Sequence, residues 1–459
     1  MSWARCDRHW GAATRRRWNN FLPADKSCAP TGFNAKPDMP LPDLIEIEPL
    51  SGPALSAHVT VPGSKSITNR ALVLAALADA PVTLIGALWS EDTQVMVEAL
   101  SQLGFAVEVR PEATEPANRT IIVHGQSGRI PAAGTPEKPL ELFVGNAGTV
   151  ARFLAALVCL GHGVYRLHGT ERMHQRPQSE LFHALRQLGY RVDATEDRLP
   201  ALIHGSGPRN AFCNVSVRDS SQFASALLLA APRGQWLVEP GIANIDEAPY
   251  VQMTQRMVRQ FPNHGGVYVV EPDASSGSYF WGVNLFKESV EVAHWPMTGM
   301  QIDADFPRFL KLPAEVSRLT DLGDSIMTAI VLAPLGTRPV RFTHLSRLRV
   351  QECERVVALR TELTKCGAKV IEDDDTLTVE PSSQLHGAEI ETYNDHRVAM
   401  CFALLGLKVP GIRLRNPACV QKTFPNFFQK LAAEPPAGLG AIIRHGHTRA
   451  ALTQSELAA

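Results

Sequence analysis

The sequence lacks the features that mark several large classes of protein. Its formal net charge is -1, so no excess charge of one sign points to a nucleic acid or a membrane surface as a partner. No apolar run reaches the ~20 residues that a membrane-spanning helix needs. The 8 cysteines form neither a CxxC pair nor a metal-ligand spacing, which favours reduced thiols in a cytosolic protein. A globular protein of 459 residues remains, long enough for about two or three domains.

The stretch VPGSKSITNR, residues 61–70, lacks a glycine that would make it a nucleotide-binding loop. Residues 63–66 resemble the end of a P-loop, but that motif requires another glycine upstream, and residues 59–62 do not supply it. A lysine and small polar residues at a strand-to-helix corner are left. They indicate an anion site only weakly, and they do not predict ATP binding.

The two ends of the chain show little periodicity. Residues 1–38 contain the run Arg15, Arg16 and Arg17. A transit peptide is one interpretation, although serine is sparse; an added extension and an overlong gene start are the others. We assign residues 1–44 to an N-terminal extension without regular structure and the alanine-rich residues 435–459 to a peripheral tail.

An internal repeat is the most informative feature of the chain. At six places a polar cluster opens an alanine- and leucine-rich helical run: residues 65–78, 148–160, 220–231, 274–286, 324–335 and 394–407. Helices that are apolar nearly all round belong inside a domain. Amphipathic helices lie between them and end at glycines before alternating strands. The sequence therefore predicts repeated α/β units around buried helices, with a shortened unit at 287–323.

Each buried helix begins with a residue type that caps helices. These residues are Ser66, Thr149, Ser220 or Ser221, Ser275, Asp324, and Asn394 or Asp395. Ordinary capping explains any one of them. Helix N-termini also carry unpaired N–H groups and roughly half a positive charge, which suits phosphate and carboxylate groups. Six such starts in a repeated frame, several beside basic residues, predict one cleft for strongly anionic ligands.

Eight motifs carry a resemblance to one family. They are PGSKSITNR, GNAGTVAR, GTERMHQRP, SSQF, DASSGSYF, LRVQECER, TYNDHRVAM and QKTFPNFF. In this order, over residues 50–432, the sequence resembles the 5-enolpyruvylshikimate-3-phosphate synthases. The resemblance implies an α/β fold of two similar domains, each of three βαβαββ units around buried helices, in the inverse α/β barrel form of the enolpyruvyl transferases. It implies a first strand of the second domain at 45–63, domain I with the acceptor phosphate site at 64–270, domain II at 271–434, and an active site between them.

The resemblance also implies a reaction. Members of this family transfer the enolpyruvyl group of phosphoenolpyruvate to the 5-hydroxyl of shikimate 3-phosphate and release phosphate, through a tetrahedral intermediate, on the pathway to chorismate and aromatic amino acids. We therefore expect an enzyme, a 3-phosphoshikimate 1-carboxyvinyltransferase. We expect two small-molecule substrates, no cofactor, no metal, no nucleic acid or membrane partner, a cytoplasmic location and a monomer.

The matching motifs imply the site residues. The implied catalytic residues are Asp324 near the attacking hydroxyl, Glu352 near the methylene carbon, and Lys65 between the two substrates. The phosphoenolpyruvate-binding set is Lys65, Gly148, Arg172, Gln222, Arg355, Arg397 and Lys422. The acceptor-binding set is Lys65, Ser66, Arg70, Ser220, Ser221, Gln222, Tyr250, Asp324, Arg347 and Gln351. His396, beside Arg397, is either a proton relay or a structural residue.

Three positions depart from the family pattern, all on the acceptor side. Gln351 stands where the family has lysine, Arg347 where asparagine is common, and Glu247 where a serine contacts the 3-phosphate. Glutamine supplies no positive charge, and a glutamate facing a phosphate dianion is repelled. Two alternatives therefore stay open. One is an enolpyruvyl transferase with another hydroxyl acceptor; the other is a weakened paralogue that binds anionic ligands.

Overall fold

The computed structural model describes residues 41–51, 56–241, 248–287 and 289–458. Most of the N-terminal extension predicted for 1–44 lies outside these residues, and so does Glu247. Leu44 already belongs to the first strand and is buried.

Helices and strands alternate along the described chain. The α-helices are α1 (Lys65–Leu77), α2 (Glu91–Gln102), α3 (Gly148–Leu157), α4 (Glu171–Gln175), α5 (Ser179–Gln187), α6 (Ser221–Gly234), α7 (Ala248–Gln260), α8 (Ala274–Gly282), α9 (Ile326–Leu332), α10 (Arg355–Lys365), α11 (His396–Gly406) and α12 (Phe427–Ala432). The strands are β1 (Leu44–Ile47), β2 (Ala57–Val59), β3 (Pro81–Leu88), β4 (Val107–Pro111), β5 (Asn118–His124), β6 (Leu140–Phe143), β7 (His162–His168), β8 (Arg191–Ala194), β9 (Ala201–Ser206), β10 (Ala211–Ser216), β11 (Trp236–Gly241), β12 (Gly266–Val269), β13 (Val290–Val292), β14 (Glu315–Ser317), β15 (Val340–Thr343), β16 (Val370–Asp373), β17 (Thr376–Val379), β18 (Glu389–Ile390), β19 (Ile412–Arg415) and β20 (Ile443–His445).

The sheets repeat one plan. In the sheet β6-β7-β9-β8 the buried helix α3 connects the parallel pair β6 and β7, the amphipathic helix α5 follows, and β8 and β9 form an antiparallel hairpin. The sheets β14-β15-β17-β16, with α9 and α10, and β12-β3-β5-β4, with α2, have the same strand directions. The pairs β10-β11 and β2-β13 are parallel and two-stranded. The predicted α/β units around buried helices are confirmed.

Two hydrophobic cores divide the described residues into two lobes. The core of the first lobe runs from 67 to 270, and that of the second combines 41–61 with 279–457. The chain passes between the lobes twice, just before α1 and just before α8. There the Ser64 N–H donates to the Glu271 carbonyl and the Asp273 N–H to the Pro62 carbonyl, each over 2.9 Å. A side chain at Gly63 would place its Cβ 1.9 Å from the Gly86 carbonyl oxygen, so this crossing requires glycine.

The buried helices carry very few charges. Every residue of α3 and α11 is buried, as is α1 from Ile67 onward. The charges that interrupt them are arginines near their N-termini: Arg70, Arg152 and Arg397, at 1%, 2% and 9% exposure. A buried charge is costly unless it is paired. These arginines therefore require counter-charges at the helix N-termini, from the protein or from a ligand.

The C-terminal segment belongs to the second lobe, so the prediction of a peripheral tail at 435–459 was wrong. Strand β20 pairs with β1, which in turn pairs with β19, both antiparallel. The His58 N–H donates to the Pro436 carbonyl over 2.7 Å, and Leu457 is fully buried. The sheet β18-β19-β1-β20 needs a strand after its outer helix α12 to match the plan of the others, and the tail supplies it. A three-residue strand in an alanine-rich segment has too little periodicity to predict.

The shortened unit and the cysteines agree with the sequence. Between α8 and α9 the described residues form a 3-10 turn at Val283–Leu285, β13, a 3-10 stretch at Ile302–Phe309 and β14, without an amphipathic α-helix. Within the described ranges, no helix is long and apolar enough to cross a membrane. The cysteines described there are free thiols: Cys159, Cys213, Cys353, Cys366, Cys401 and Cys419.

Candidate active site

A cleft lies where the N-termini of the six buried helices meet, and both lobes contribute to its walls. Residues at or just before the start of each helix line it: Ser64, Lys65 and Ser66; Gly148 and Thr149; Ser221 and Gln222; Asp273 and Ser275; Asp324; His396 and Arg397. The helix starts that the repeat singled out therefore surround one space. Their unpaired N–H groups favour an anionic ligand there.

The caps themselves differ in part from those predicted. The N-cap residues are Ser64 for α1, Asp273 for α8 and Ser325 for α9. Asp273 accepts from the Ser276 N–H over 2.7 Å. Asp324, predicted to cap α9, instead turns its carboxylate to arginine side chains. Charge-assisted bonds to guanidinium groups are stronger than a bond to one neutral N–H, which accounts for the difference.

Side chains crowd the space beside the backbone at Gly148, the first residue of α3. A Cβ at this position would lie 2.6 Å from Arg152 Nη1, and 2.9 Å from both Arg176 Nη2 and Gln222 Oε1. A side chain at this position would therefore displace the ends of these three side chains. Burial and the neighbouring Arg176 and Arg347 lower the pKa of Arg152, since positive charges crowd this wall. Such crowding is relieved by a bound anion.

Arg172, a predicted ligand, is not among the side chains that line the cleft. Its Nη2 donates to the Gln351 carbonyl over 3.0 Å, and its Nη1 donates to Gln175 Oε1 over 3.2 Å. Arg176, four residues further along GTERMHQRP, lines the cleft instead and donates to the Asn146 carbonyl over 3.1 Å. Arg172 lies within α4, whereas Arg176 is its extended C-cap residue, which turns the side chain inward.

Two lysines from different lobes share one buried carboxylate. Lys65 Nζ lies 3.1 Å from Asp92 Oδ2, and Lys422 Nζ lies 3.5 Å from Asp92 Oδ1. Lys422 also donates to the Asn146 carbonyl over 2.9 Å. Lys65 lines the cleft, whereas Lys422 is behind its wall. Sequence reasoning missed Asp92, because an acidic residue in the first turn of a helix such as α2 is ordinary.

Arg355 is also behind the cleft wall rather than on it. Its Nε lies 2.7 Å from Asp395 Oδ2 and its Nη2 lies 2.9 Å from Glu352 Oε2. Its Nη1 makes a short hydrogen bond to the side-chain oxygen of Gln351. Burial lowers the pKa of Arg355, but Asp395, Glu352 and Asp324 outweigh that effect and raise it. Arg355 is thus a fixed cation that orients two cleft residues, Gln351 and Glu352.

The two predicted catalytic carboxylates both line the cleft. Burial acts to raise the pKa of Asp324, but Arg397, Arg355 and Arg318 lower it far below its ordinary value. Burial likewise acts to raise the pKa of Glu352, and Arg355, Arg176, Lys422 and His396 reverse the shift. Both groups are therefore ionised at neutral pH.

His396 is a neutral histidine in the wall of the cleft. Burial lowers its pKa well below the ordinary value, and the cations Lys65 and Arg397 lower it further. Neither ring nitrogen hydrogen-bonds within the part of the chain that the structure describes. Because its ring faces the cleft and is uncharged, His396 can accept a hydrogen bond from a ligand.

Asp303 is a fully buried carboxylate that the sequence did not single out. It accepts from the Gly323 N–H over 2.7 Å and from the Ser325 N–H and hydroxyl over 3.2 and 2.6 Å. These bonds hold the backbone on both sides of Asp324. Burial and Asp324 raise the pKa of Asp303.

The predicted acceptor residues divide into two groups. Those that line the cleft are Lys65, Ser66, Arg70, Ser221, Gln222, Tyr250, Asp324, Arg347 and Gln351. Ser220 is the N-cap of α6 and accepts from the Gln222 N–H over 3.2 Å. Arg318, which no motif singled out, lines the cleft as well. Within the described ranges, no group of three or more His, Cys, Asp or Glu side chains could hold a metal ion.

Comparison with known proteins identifies the family. The model of the EPSP synthase family, described as 3-phosphoshikimate 1-carboxyvinyltransferase, matches residues 50–264 and 262–431. A 3-phosphoshikimate 1-carboxyvinyltransferase of Opitutus terrae is 39% identical over 432 residues, which cover 86% of this chain and 98% of that protein. One of Nostoc punctiforme is 35% identical over 433 residues, which cover 84% and 98%. The chain belongs to the EPSP synthase family.

Solved structures agree with the fold. EPSP synthase from Acinetobacter baumannii matches with a TM-score of 0.67 at 22% identity, over 87% of this chain and 99% of that one. The enolpyruvyl transferase NikO from Streptomyces tendae matches with a TM-score of 0.63 at 17% identity, over 90% and 100%. At these identities the likeness concerns the fold alone, which is the predicted two-domain α/β fold of the enolpyruvyl transferases.

Proposed function

We propose that this EPSP synthase family member transfers the enolpyruvyl group of phosphoenolpyruvate to the 5-hydroxyl of shikimate 3-phosphate and releases phosphate. The observation that carries the proposal is one cleft in which Lys65, Arg176 and Arg397 surround two ionised carboxylates, Asp324 and Glu352. Cations of this number suit substrates that together carry two phosphates and two carboxylates. Two carboxylates in different surroundings suit a reaction that needs both a base and an acid.

Phosphoenolpyruvate binds on the side of Gly148. Arg176 and Arg397 contact its carboxylate and phosphate with the planar geometry that guanidinium groups offer to such anions. Lys65 contacts its phosphate as a point charge, and Gln222 hydrogen-bonds beside it. Lys422 and Arg355 act from behind the wall, through Asp92 and Glu352. Arg172 contributes through its bond between the lobes rather than as a ligand.

Asp324 and Glu352 carry the proton transfers. Asp324 accepts the proton of the 5-hydroxyl while the hydroxyl oxygen forms a bond to C2 of phosphoenolpyruvate. At the same time C3 of phosphoenolpyruvate takes a proton from Glu352. The tetrahedral intermediate then loses phosphate, C3 returns its proton to Glu352, and the hydroxyl proton leaves with the phosphate. Glu352 must be protonated to act as the acid, although the surrounding cations hold its pKa well below the ordinary value. The anionic substrates offset those cations when they bind, which raises the pKa of Glu352.

The acceptor binds between the starts of α1 and α6. Ser66 and Arg70 face its carboxylate, and Ser221, positioned by the cap residue Ser220, faces its 3-phosphate. Tyr250, Arg347 and Gln351 complete the acceptor wall. We assign residues 64–270 to the first domain, and residues 45–63 together with 271–457 to the second; the two cores and the paired crossings support this division. We also assign a monomer in the cytoplasm.

A phosphate-release assay with phosphoenolpyruvate and shikimate 3-phosphate tests the function. Wild-type protein should release phosphate only when both are present. Asp324→Asn and Glu352→Gln should each lower kcat by about 10²–10⁴-fold, as expected for loss of a general acid or base. Asp374→Asn, in the exposed turn between β16 and β17, is the matched control and should leave kcat unchanged. Equal activity of all four proteins would contradict the assignment.

A second candidate is transfer to a different hydroxyl acceptor. The observation that favours it is Gln351, whose side chain accepts from Arg355 and lies 3.5 Å from Asp324 Oδ1. Because glutamine is neutral, this position brings no positive charge to the acceptor. Calorimetry separates the two candidates. The decisive result would be that phosphoenolpyruvate binds but no phosphate is released with shikimate 3-phosphate. If another cyclic alcohol then supports phosphate release, the second candidate is correct. If no alcohol does, the protein is a non-catalytic paralogue.

A further inference from the structure

The Asp324 carboxylate is held by side chains from three separate segments. Arg397 Nη2, from the start of α11, lies 3.1 Å from its Oδ2. Its other oxygen, Oδ1, faces two donors: Arg318 Nη2 at 3.4 Å and Gln351 Nε2 at 3.5 Å. One donor at Oδ1 is charged and the other is neutral. Arg318 is therefore the cation at this oxygen.

The backbone sets the spacing of Arg318 and Asp324. Arg318 follows β14 directly, and its N–H donates to the Thr343 carbonyl at the end of β15 over 3.1 Å. Ser317, one residue earlier, accepts through its hydroxyl from the Leu319 N–H over 3.1 Å. Asp303 fixes the residues on both sides of Asp324. Both ends of this loop are thus anchored, and the guanidinium of Arg318, only 4% exposed, faces the cleft.

We propose that Arg318 is a positioning residue for the reaction: it keeps Asp324 ionised and turned toward the acceptor hydroxyl, at an oxygen where Gln351 supplies no charge. This inference rests on the proposed function, in which Asp324 is the base. The inference goes beyond the proposed function in two ways. Arg318 belongs to none of the eight motifs, and the positive charge beside Asp324 Oδ1 comes from the segment of Arg318 rather than from that of Gln351.

The other charges around Asp324 define what removal of Arg318 would do. Arg397 and Arg355 favour its ionised form, and Glu352 and the buried Asp303 oppose it. Without Arg318, two cations face two carboxylates. The pKa of Asp324 then rises, and its carboxylate is held only by Arg397 at Oδ2 and by the neutral Gln351 at Oδ1.

The neighbouring position provides a charge-swap test. Gln351 Nε2 already lies within reach of Oδ1, so a lysine at position 351 can place its ammonium group at the same oxygen. The variants are Arg318→Gln, the double variant Arg318→Gln/Gln351→Lys, and the uncharged double control Arg318→Gln/Gln351→Met. Arg341→Gln is the single control, because it removes an exposed arginine of the adjacent strand β15 that pairs with Glu315.

Steady-state kinetics between pH 5.5 and 8.5 give the main result. For Arg318→Gln we expect kcat to fall about tenfold or more, more at pH 5.5 than at pH 8.5, because the acidic limb moves upward with the pKa of Asp324. The KM for phosphoenolpyruvate should change less than about twofold. In the double variants, lysine at position 351 should restore most of the lost kcat and return the acidic limb of the pH profile to its wild-type position. Methionine at position 351 should restore neither. A profile of Arg318→Gln that superimposes on wild type, or equal recovery with lysine and methionine, would overturn the proposal.

Two further measurements keep the test decisive. If thermal unfolding shows that Arg318→Gln does not fold, Arg318→Lys takes its place. Lysine keeps the charge but ends further from Asp324 Oδ1, so the acidic limb should lie at higher pH than in wild type and in Arg341→Gln, and a limb that superimposes on theirs overturns the proposal. If wild-type protein is inactive with shikimate 3-phosphate, the proposed function fails separately. Carboxyl ¹³C NMR of the empty protein then decides about Arg318: Asp324 must titrate at higher pH in Arg318→Gln than in wild type, and an unchanged titration overturns the proposal.

Discussion

The Arg172 guanidinium in the first lobe donates a hydrogen bond over 3.0 Å to the backbone carbonyl of Gln351 in the second. This bond joins the lobes next to the segment that carries Glu352 and Arg355. Because the donor lies in one lobe and the main-chain acceptor in the other, the geometry of this bond depends on the relative position of the lobes.

Arg172→Gln should therefore weaken substrate binding more than chemistry. Loss of one hydrogen bond from a charged donor is worth about 1.5–3 kcal/mol, so we expect KM for phosphoenolpyruvate to rise by about 10- to 150-fold, with kcat within about threefold. Arg166→Gln, which removes an exposed arginine paired with Glu141 in the same lobe, should change neither. A fall in kcat with unchanged KM would instead make Arg172 a group that acts in the transition state.

Gly148→Ala should impair phosphoenolpyruvate binding. The added Cβ would lie 2.6 Å from Arg152 and 2.9 Å from Arg176 and Gln222, so these side chains must move, and two of them, Arg176 and Gln222, line the cleft. Titration calorimetry should show an affinity at least about tenfold lower, a loss of roughly 1.4 kcal/mol. Gly241→Ala is the control, since its Cβ would meet nothing closer than 3.5 Å. An affinity equal to that of the control would contradict the crowding at α3.

His396 should make the protein less stable in mild acid. Its folded-state pKa lies well below the ordinary value of 6.5, so the unfolded chain binds the proton more readily. Stability from the neutral ring is complete above pH 6.5 and is lost as pH falls below it, by about 1.4 kcal/mol between pH 7.5 and 5.5. Urea unfolding at the two pH values should show this difference in wild type and a smaller one in His396→Asn. The exposed His264→Asn should retain it; equal slopes in all three proteins would sink the prediction.

Leu457 should contribute to stability as a core residue. It is fully buried in the second lobe, beyond the strand β20 that completes the sheet with β1. Leu457→Ala should lower the free energy of unfolding by about 2–5 kcal/mol, the usual range for a buried leucine. Ser455→Ala, two residues away and exposed, should change it by less than about 0.5 kcal/mol. A result within that smaller range for Leu457→Ala would mean that the segment does not stabilise the lobe.

The fold was largely predictable because its evidence is local. An apolar helix with a polar start, such as α3 or α11, has the same pattern in isolation as in the lobe, and the glycines that end α2, α5 and α10 mark boundaries by their own conformation. The C-terminal segment was mispredicted, because β20 is a strand through its pairing with β1 rather than through its own residues.

The site was predictable to the level of motifs. GTERMHQRP contains two arginines, and the end of α4 between them decides that Arg176 faces the cleft and Arg172 faces the other lobe. Asp92 and Asp303 look like ordinary acidic residues until burial brings them to Lys65 and to the loop of Asp324. Arg318 lies outside every motif.

The repeated units, the helix starts around the cleft and the family follow from the amino-acid sequence, because these depend on spacing and residue type along the chain. The charges that meet at Asp324 and Glu352 follow from the folded chain alone. Electrostatic interactions depend on distance and burial, and the partners Arg397, Arg318 and Arg355 come from segments that the fold alone brings together.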